Sequence, residues 1–148
     1  MQRSIGRLVS ILYRKNQVYL NLVLKPLNIT AAELPILLHL YDDDHVSQEE
    51  LSTFLMIDKG ATARAVQSLI KKGILTKEKD IHDRRAYQVY VTEQGINIKE
   101  KLYEQLNGWT HYLTQDIDAH EVDIMFDVLE AMVKKVEKAD FREIERKF

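Results

Sequence analysis

The sequence predicts a mainly α fold with one small β element (α+β), in the order α-α-α-α-β-β-α-α. Three observations carry that expectation. Apolar residues recur at three- and four-residue intervals over most of the 148 residues, the spacing of a helix with one buried face. After Gly73 this period gives way to alternation, the mark of a strand with one face turned inward. Capping pairs of the Ser/Thr-x-x-Glu type stand where helices would begin, at Thr30–Glu33 and Ser47–Glu50.

The first helix, Gln2 to Leu24, carries Ile5, Leu8, Val9, Leu12, Val18 and Leu22. Tyr19, Leu20, Val23 and Leu24 then make it apolar nearly all round, which suggests burial against another chain as well as its own core. Lys25-Pro26 ends it, because the residue before Pro is disfavoured in the α region. Thr30 opens the second helix, with Leu34, Leu37, Leu38 and Tyr41 on one face, and Asp42-Asp43-Asp44 stops it. Ser47 opens a short third helix with Leu51, Phe54 and Leu55 expected inward. Asp58 caps a fourth, which runs to Lys72 with Ala65, Val66, Leu69 and Ile70 apolar. Gly73 suits the position after its end, and Lys71-Lys72 suit the negative end of its dipole. Two short helices joined by a tight turn form a helix-turn-helix. Ile74–Lys79 and Tyr87–Val91 then read as two strands around the polar stretch 80–85, a β-hairpin appended directly to that motif. Thr92 caps a long fifth helix with Ile98, Leu102, Leu106, Trp109 and Leu113 about one turn apart, and Gly108 inside it marks a bend or a close helix contact. A sixth carries Val122, Met125, Phe126, Leu129, Val133 and Val136, and 140–148 continue as a charged amphipathic stretch.

Composition narrows the function. Hydrophobic residues make up 45% and charged residues 30%, as in ordinary globular proteins. There is no Cys, so disulfides, zinc–thiolate sites and thiol redox sensing are excluded. No apolar run approaches the roughly 20 residues that span a bilayer, and no leader pattern opens the sequence, so a cytoplasmic protein without membrane contact is expected. The net charge is only −2, but residues 58–90 hold eight Lys and Arg against four acids, and residues 116–148 hold ten acids against six bases. A basic segment inside an acidic chain is what a polyanion-binding face looks like in sequence.

In this order and spacing, five stretches resemble the MarR family of transcriptional regulators. They are Ser47-Gln48-Glu49-Glu50-Leu51, Asp58 to Val66, Leu69-Ile70-Lys71-Lys72-Gly73-Ile74-Leu75, Asp83-Arg84-Arg85 and Val91-Thr92-Glu93-Gln94-Gly95. The resemblance implies a single domain over 1–148. A winged helix-turn-helix DNA-binding lobe would cover 30–92, and long flanking helices, 1–29 and 93–148, would form a dimerisation lobe. It implies a homodimer on double-stranded DNA, with no cofactor and no catalytic residues. A two-fold dimer places its recognition helices one DNA turn apart, so a near-palindromic operator of roughly 16–20 bp is expected.

The residues fit those roles chemically. On the fourth helix Lys59, Gly60, Ala61, Thr62, Arg64 and Gln67 form the expected recognition surface. Small Gly60, Ala61 and Ala63 allow close approach, Arg64 and Gln67 can contact guanine or adenine edges, and Lys59 and Thr62 suit phosphate. In the wing, Asp83 and Arg85 match the family's Asp-x-Arg pair, which implies that Asp83 orients Arg85 into the minor groove, where negative potential attracts Arg. Lys79 and Arg84 are expected on phosphates. Many members carry Pro-Arg before that Asp where this chain has Ile81-His82, and a His is a poorer cation at neutral pH, so minor-groove binding that is weaker or pH-dependent near pH 6.5 is expected. The resemblance also implies release by a small aromatic or phenolic effector, with Tyr13, His39, Trp109, His111 and Tyr112 as candidate liners.

The five His residues (39, 45, 82, 111, 120) stand in no recognised metal or catalytic spacing, so neither an enzyme nor a metal sensor is expected. The alternative to a DNA-binding repressor is a winged-helix protein-interaction module whose basic face meets an acidic partner. Steep salt dependence separates the two, because only DNA binding releases condensed counterions.

Overall fold

Helix α1 spans Ile5–Val23 and begins where the Ser4 hydroxyl accepts the Arg7 N–H. This is a computed structural model, and it describes residues 3–83 and 85–147. A 3₁₀ turn at Lys25–Leu27, with Pro at its start, follows α1 and ends on Asn28 in the left-handed region at φ 58°. The Thr30–Glu33 capping box forms reciprocally, each side chain accepting the other's backbone N–H. Residues 31–33 are nonetheless a turn, and α2 spans Leu34–Asp42. Then come β1 (Val46–Ser47), α3 (Gln48–Leu55), α4 (Lys59–Lys71), β2 (Leu75–Lys79) and β3 (Tyr87–Val91).

The two residues of β1 were not expected as a strand. They pair antiparallel with β3, Val46 opposite Val89 and Ser47 opposite Gln88. With the β2–β3 hairpin, registered from Leu75 on Val91 to Lys79 on Tyr87, they complete a three-stranded sheet of order β1-β3-β2. The single long helix expected from Thr92 is two: α5 (Glu93–Asn97) and α6 (Lys99–Thr114). They meet at Ile98, where the backbone tightens to φ −91°, ψ −8°.

The chain divides into two compact units, Met1–Trp109 and Thr110–Phe148. In the first, a single core gathers Leu20 and Leu24 from α1, Ile36, Leu37 and Leu40 from α2, Leu51 from α3, and Val66 and Leu69 from α4. Ile74 just before β2, Leu75 and Val89 from the sheet and Leu102 from α6 join it. The helix-turn-helix and the end of α1 therefore share one apolar interior. Phe54 corrects the sequence reading: expected inward, it is 58% exposed, because Leu51 and Ser52 already fill the buried face of so short a helix. Tyr19 packs where Gly108 leaves room, its hydroxyl donating to the Gln105 carbonyl at 2.8 Å, which is the close helix contact expected of that Gly.

The second unit holds α7 (Ala119–Glu137), capped by Asp118, and α8 (Phe141–Lys147). Within this unit the apolar stripe of α7 is uncovered, with Ile124, Phe126, Leu129, Val133 and Val136 all exposed. No described helix is long and apolar enough to cross a membrane.

Candidate nucleic-acid interface

The start of α3 is fixed by a complete capping box. The Ser47 hydroxyl accepts the Glu50 N–H at 3.1 Å, and the Glu50 carboxylate accepts the Ser47 N–H at 2.7 Å. Those bonds hold the Glu50 carboxyl below its ordinary pKa. Helix α3 ends at Met56 in the left-handed region, and Asp58 caps α4 by accepting the Ala61 N–H at 2.9 Å. The turn between the helices is closed by Ser52, whose hydroxyl donates to the Ile57 carbonyl at 2.6 Å.

On α4 the expected residues separate. Lys59, Gly60, Arg64 and Gln67 are exposed, and Arg64 and Gln67 line one shallow groove with Ala63, Ser68 and Lys71. Lys59 lies 3.0 Å from Glu49 of α3 with both side chains largely in solvent. Ala61 is half-buried and serves the cap through its backbone. Thr62 is a correction. It is fully buried, and its hydroxyl donates to the Asp58 carbonyl at 3.0 Å, so it packs the inner face and cannot reach phosphate. The sequence held that signal, since Thr62 stands three, four and seven residues before Ala65, Val66 and Leu69 on the apolar stripe. At Gly60, an added Cβ would lie 3.3 Å from Arg64 Nη1 and 3.0 Å from Asp58 Oδ2. The absence of a side chain there makes room for the Arg64 guanidinium, which leans back toward the N-terminus as helical side chains do.

The wing is ordered by two aspartates, one of which sequence reasoning did not single out. Asp80 accepts the backbone N–H of His82 at 2.7 Å and of Asp83 at 3.3 Å, and the Gln88 side-chain amide at 2.8 Å. The two backbone bonds lead in holding its carboxyl below the ordinary value. An Asp that opens a short polar connection is the available signal, because Asp favours turns by bonding backbone two residues on. Asp83 does the same for Arg85, accepting its N–H at 2.9 Å, so the expected orienting contact runs through the backbone. The connection closes with Asp80 N–H on the Ala86 carbonyl and Ala86 N–H on the Asp83 carbonyl. Lys79, Asp83 and Arg85 are exposed, as are Ile81 and His82 at the tip. A groove brings Asp83, Arg85 and Lys77 alongside Ser47, Gln48 and Glu49 at the start of α3. Arg84, also expected on phosphate, lies outside the described residues.

Gly73, at φ 77°, turns the chain from α4 into β2, and Thr92 ties that turn to α5. The Thr92 hydroxyl donates to the Gly73 carbonyl at 2.6 Å and accepts the Gly95 N–H at 3.1 Å. Gly95 sits so close to the sheet that a Cβ would lie 2.5 Å from the Ile74 carbonyl oxygen and 2.6 Å from Val91 Cγ1. Among the candidate effector residues, Tyr13 is exposed, Trp109 stacks on Tyr19 at 5.0 Å, and His39 stacks on Phe54 at 5.3 Å. The His39 Nε2 is buried without a hydrogen-bond partner among the described residues. In the second unit, His111 and Tyr112 are exposed. Among the described residues no group of His, Asp or Glu could hold a metal ion.

A helix-turn-helix whose second helix presents Arg64 and Gln67, followed by a hairpin that exposes Lys79 and Arg85, defines a winged helix-turn-helix of the DNA-binding type. A family model described as "MarR family" matches residues 27–86. Multiple antibiotic resistance protein MarR of Escherichia coli (strain K12) is 32% identical over 133 residues, which cover 89% of this chain and 90% of that protein. The crystal structure of a MarR transcriptional regulator from Methanosarcina mazei Go1 aligns with a TM-score of 0.86 at 35% identity, covering 90% of this chain and 96% of its own. Wild-type MarR from E. coli in its apo form aligns at 0.72 with 30% identity, covering 92% and 98%. The chain belongs to the MarR family. It is a DNA-binding transcriptional regulator, a class without enzymatic activity.

Proposed function

We propose that this protein is a cytoplasmic repressor that binds a near-palindromic operator as a homodimer and is released by a small aromatic or phenolic effector. The observation that carries the reading is the exposed Arg64, seated over Gly60 on a capped recognition helix. An exposed arginine with a free path outward can meet guanine with two hydrogen bonds, the commonest base-specific contact. Gln67 in the same groove suits adenine. Lys59 pairs with exposed Glu49, a contact worth about 0–1 kcal/mol, so it can exchange that partner for phosphate at little cost. Arg85 follows a wing backbone fixed by Asp80 and Asp83 and suits the minor groove.

The homodimer is supported by uncovered apolar surface in each unit. Ile5, Leu8, Val9 and Leu12 are at least half exposed on α1, and Phe126, Leu129, Val133 and Phe141 are exposed on α7 and α8. Contiguous apolar surface of that kind marks an interface. Release would require an effector to favour a conformation unsuited to the operator, since a ligand shifts only equilibria whose two states it binds differently. The Trp109–Tyr19 stack and the unsatisfied His39 Nε2 are the aromatic and polar features of the first unit that suit such a ligand.

Two substitutions test the DNA reading. Arg85→Ala is expected to cost about 1–3 kcal/mol of operator affinity with the dimer intact. Arg64→Ala is expected to relax base preference at one position of each half-site. Equal losses on operator and random DNA would instead assign Arg64 to phosphate, and unchanged operator binding by Arg85→Ala would remove the wing from the interface.

A further inference from the structure

Glu33 is 2% exposed at the entrance to α2, and its carboxylate collects four hydrogen bonds. Ser68 Oγ donates to Oε1 at 2.5 Å, the Thr30 N–H to Oε2 at 2.9 Å, and Lys72 Nζ to both oxygens at 2.9 and 2.8 Å. A buried carboxylate left without such partners would be strongly destabilising, so this geometry is tightly held. Ser68 lies on the C-terminal half of the recognition helix and Lys72 directly follows its last residue, and their three bonds tie the end of α4 to the residue that precedes α2. Gly60, Arg64, Ser68 and Lys72 are spaced four apart and form one ridge along α4. The base-reading arginine and the two side chains that donate to Glu33 are thus successive members of a single row.

We infer that Glu33, acting through Ser68 and Lys72, is the positioning residue that sets the rotation of α4 about its axis and hence the direction in which Arg64 meets the bases. Apolar packing of Ala65, Val66 and Leu69 holds α4 against the core, but non-directional contacts tolerate small rotations and slides. A bidentate ion pair supplemented by a hydroxyl does not, because hydrogen bonds weaken steeply as their angles open. The same row then conveys that fixed rotation to Arg64. This role rests on the reading of Arg64 as a base contact.

The test separates positioning from stability. Replacing a buried ion pair by apolar residues of similar volume is often neutral for folding or stabilising. The paired substitution Glu33→Met with Lys72→Met, made together with Ser68→Ala so that no hydroxyl is left without its acceptor, is therefore expected to stay close to the melting temperature of the parent. Its preference for operator over random DNA should nevertheless fall by roughly tenfold, as a misaligned bidentate contact loses its discrimination. Glu33→Gln keeps the side-chain shape and an acceptor for Ser68, and serves as a second variant that folds if the pair does not. It should lose part of the same preference, and Lys72→Arg, which restores a two-pronged cation, should retain most of it. Selectivity that follows the melting temperature across these variants, or a paired variant with full parental selectivity, would overturn the positioning role alone. A parent protein without preference for any sequence would overturn the operator reading itself, and this inference with it.

Discussion

At the scale of single residues, glycines and one threonine determine what the recognition surface can be. Gly60 lies beneath the Arg64 guanidinium, and Gly60→Ala adds a methyl in its way. The gain in helix propensity, about 1 kcal/mol, offsets the crowding of the Asp58 cap. Folding stability is thus expected to stay within about 1 kcal/mol of the parent while operator affinity falls several-fold, as thermal melts and a binding titration on one preparation would reveal. Gly95 faces backbone as well as the Val91 side chain, since a Cβ there meets the Ile74 carbonyl oxygen at 2.5 Å and Val91 Cγ1 at 2.6 Å. Gly95→Ala is expected to cost about 1–3 kcal/mol in denaturant unfolding, and an unaltered midpoint would contradict the tight seat of α5 on the sheet. Thr62 shows how residue chemistry misleads when taken without its period. A hydroxyl beside Lys59 and Arg64 suggests phosphate, yet the spacing to Ala65, Val66 and Leu69 turns it inward.

At the scale of elements, local chemistry was legible and long-range pairing was not. The Ser47–Glu50 box, the Asp58 cap and the left-handed Gly73 all form as read, because each is decided within four residues. Strand β1 is only Val46–Ser47, too short for alternation to register, and it exists because β3 offers it an edge. The break between α5 and α6 at Ile98 leaves the apolar spacing intact and so left no mark in the pattern. The bond from Glu33 to Lys72 joins residues 39 apart in sequence, and only the packing of α2 on α4 brings them together. The wing was legible as a hairpin, but its internal order depends on Asp80. Asp80→Ala frees the N–H groups of His82 and Asp83 and the amide of Gln88. It is expected to weaken operator binding by about the amount that Arg85→Ala does, roughly 1–3 kcal/mol, with little change in melting temperature. A variant with parental affinity would show that the wing holds its shape without it.

At the scale of the whole molecule, buried and hydrogen-bonded titratable groups bound the pH range of the fold. Burial pushes the Glu33 carboxyl up, but bonds from Lys72, Ser68 and Thr30 outweigh it and leave the pKa lowered from 4.5. Glu50 is lowered from the same value by its Ser47 bonds. The stability these groups contribute is complete above 4.5 and is lost as pH falls through their lower folded values. Tyr41 bounds the other side. Burial, with Tyr103 adding to it, raises its pKa from 10.0 to about 12, and its hydroxyl donates to the Gly95 carbonyl at 2.6 Å. Its contribution is complete below 10.0 and is lost as pH rises toward about 12. Unfolding free energy should thus hold a plateau between these limits, and Tyr41→Phe should flatten the alkaline limb while costing about 0.5–1.5 kcal/mol at neutral pH. An alkaline limb unchanged in that variant would assign it to other groups.

In the proposed dimer, two copies of α4 and the wing read one symmetric DNA site. The measurement that tests it most directly is selection of bound sequences from a random duplex pool at about physiological salt, where specific and non-specific binding separate. Enrichment of a two-fold-symmetric site with half-sites about 10 bp apart is expected, with loss of preference at one position of each half-site when Arg64→Ala is selected in parallel. A folded parent protein that enriches no sequence, or one that enriches a site without symmetry, would contradict it.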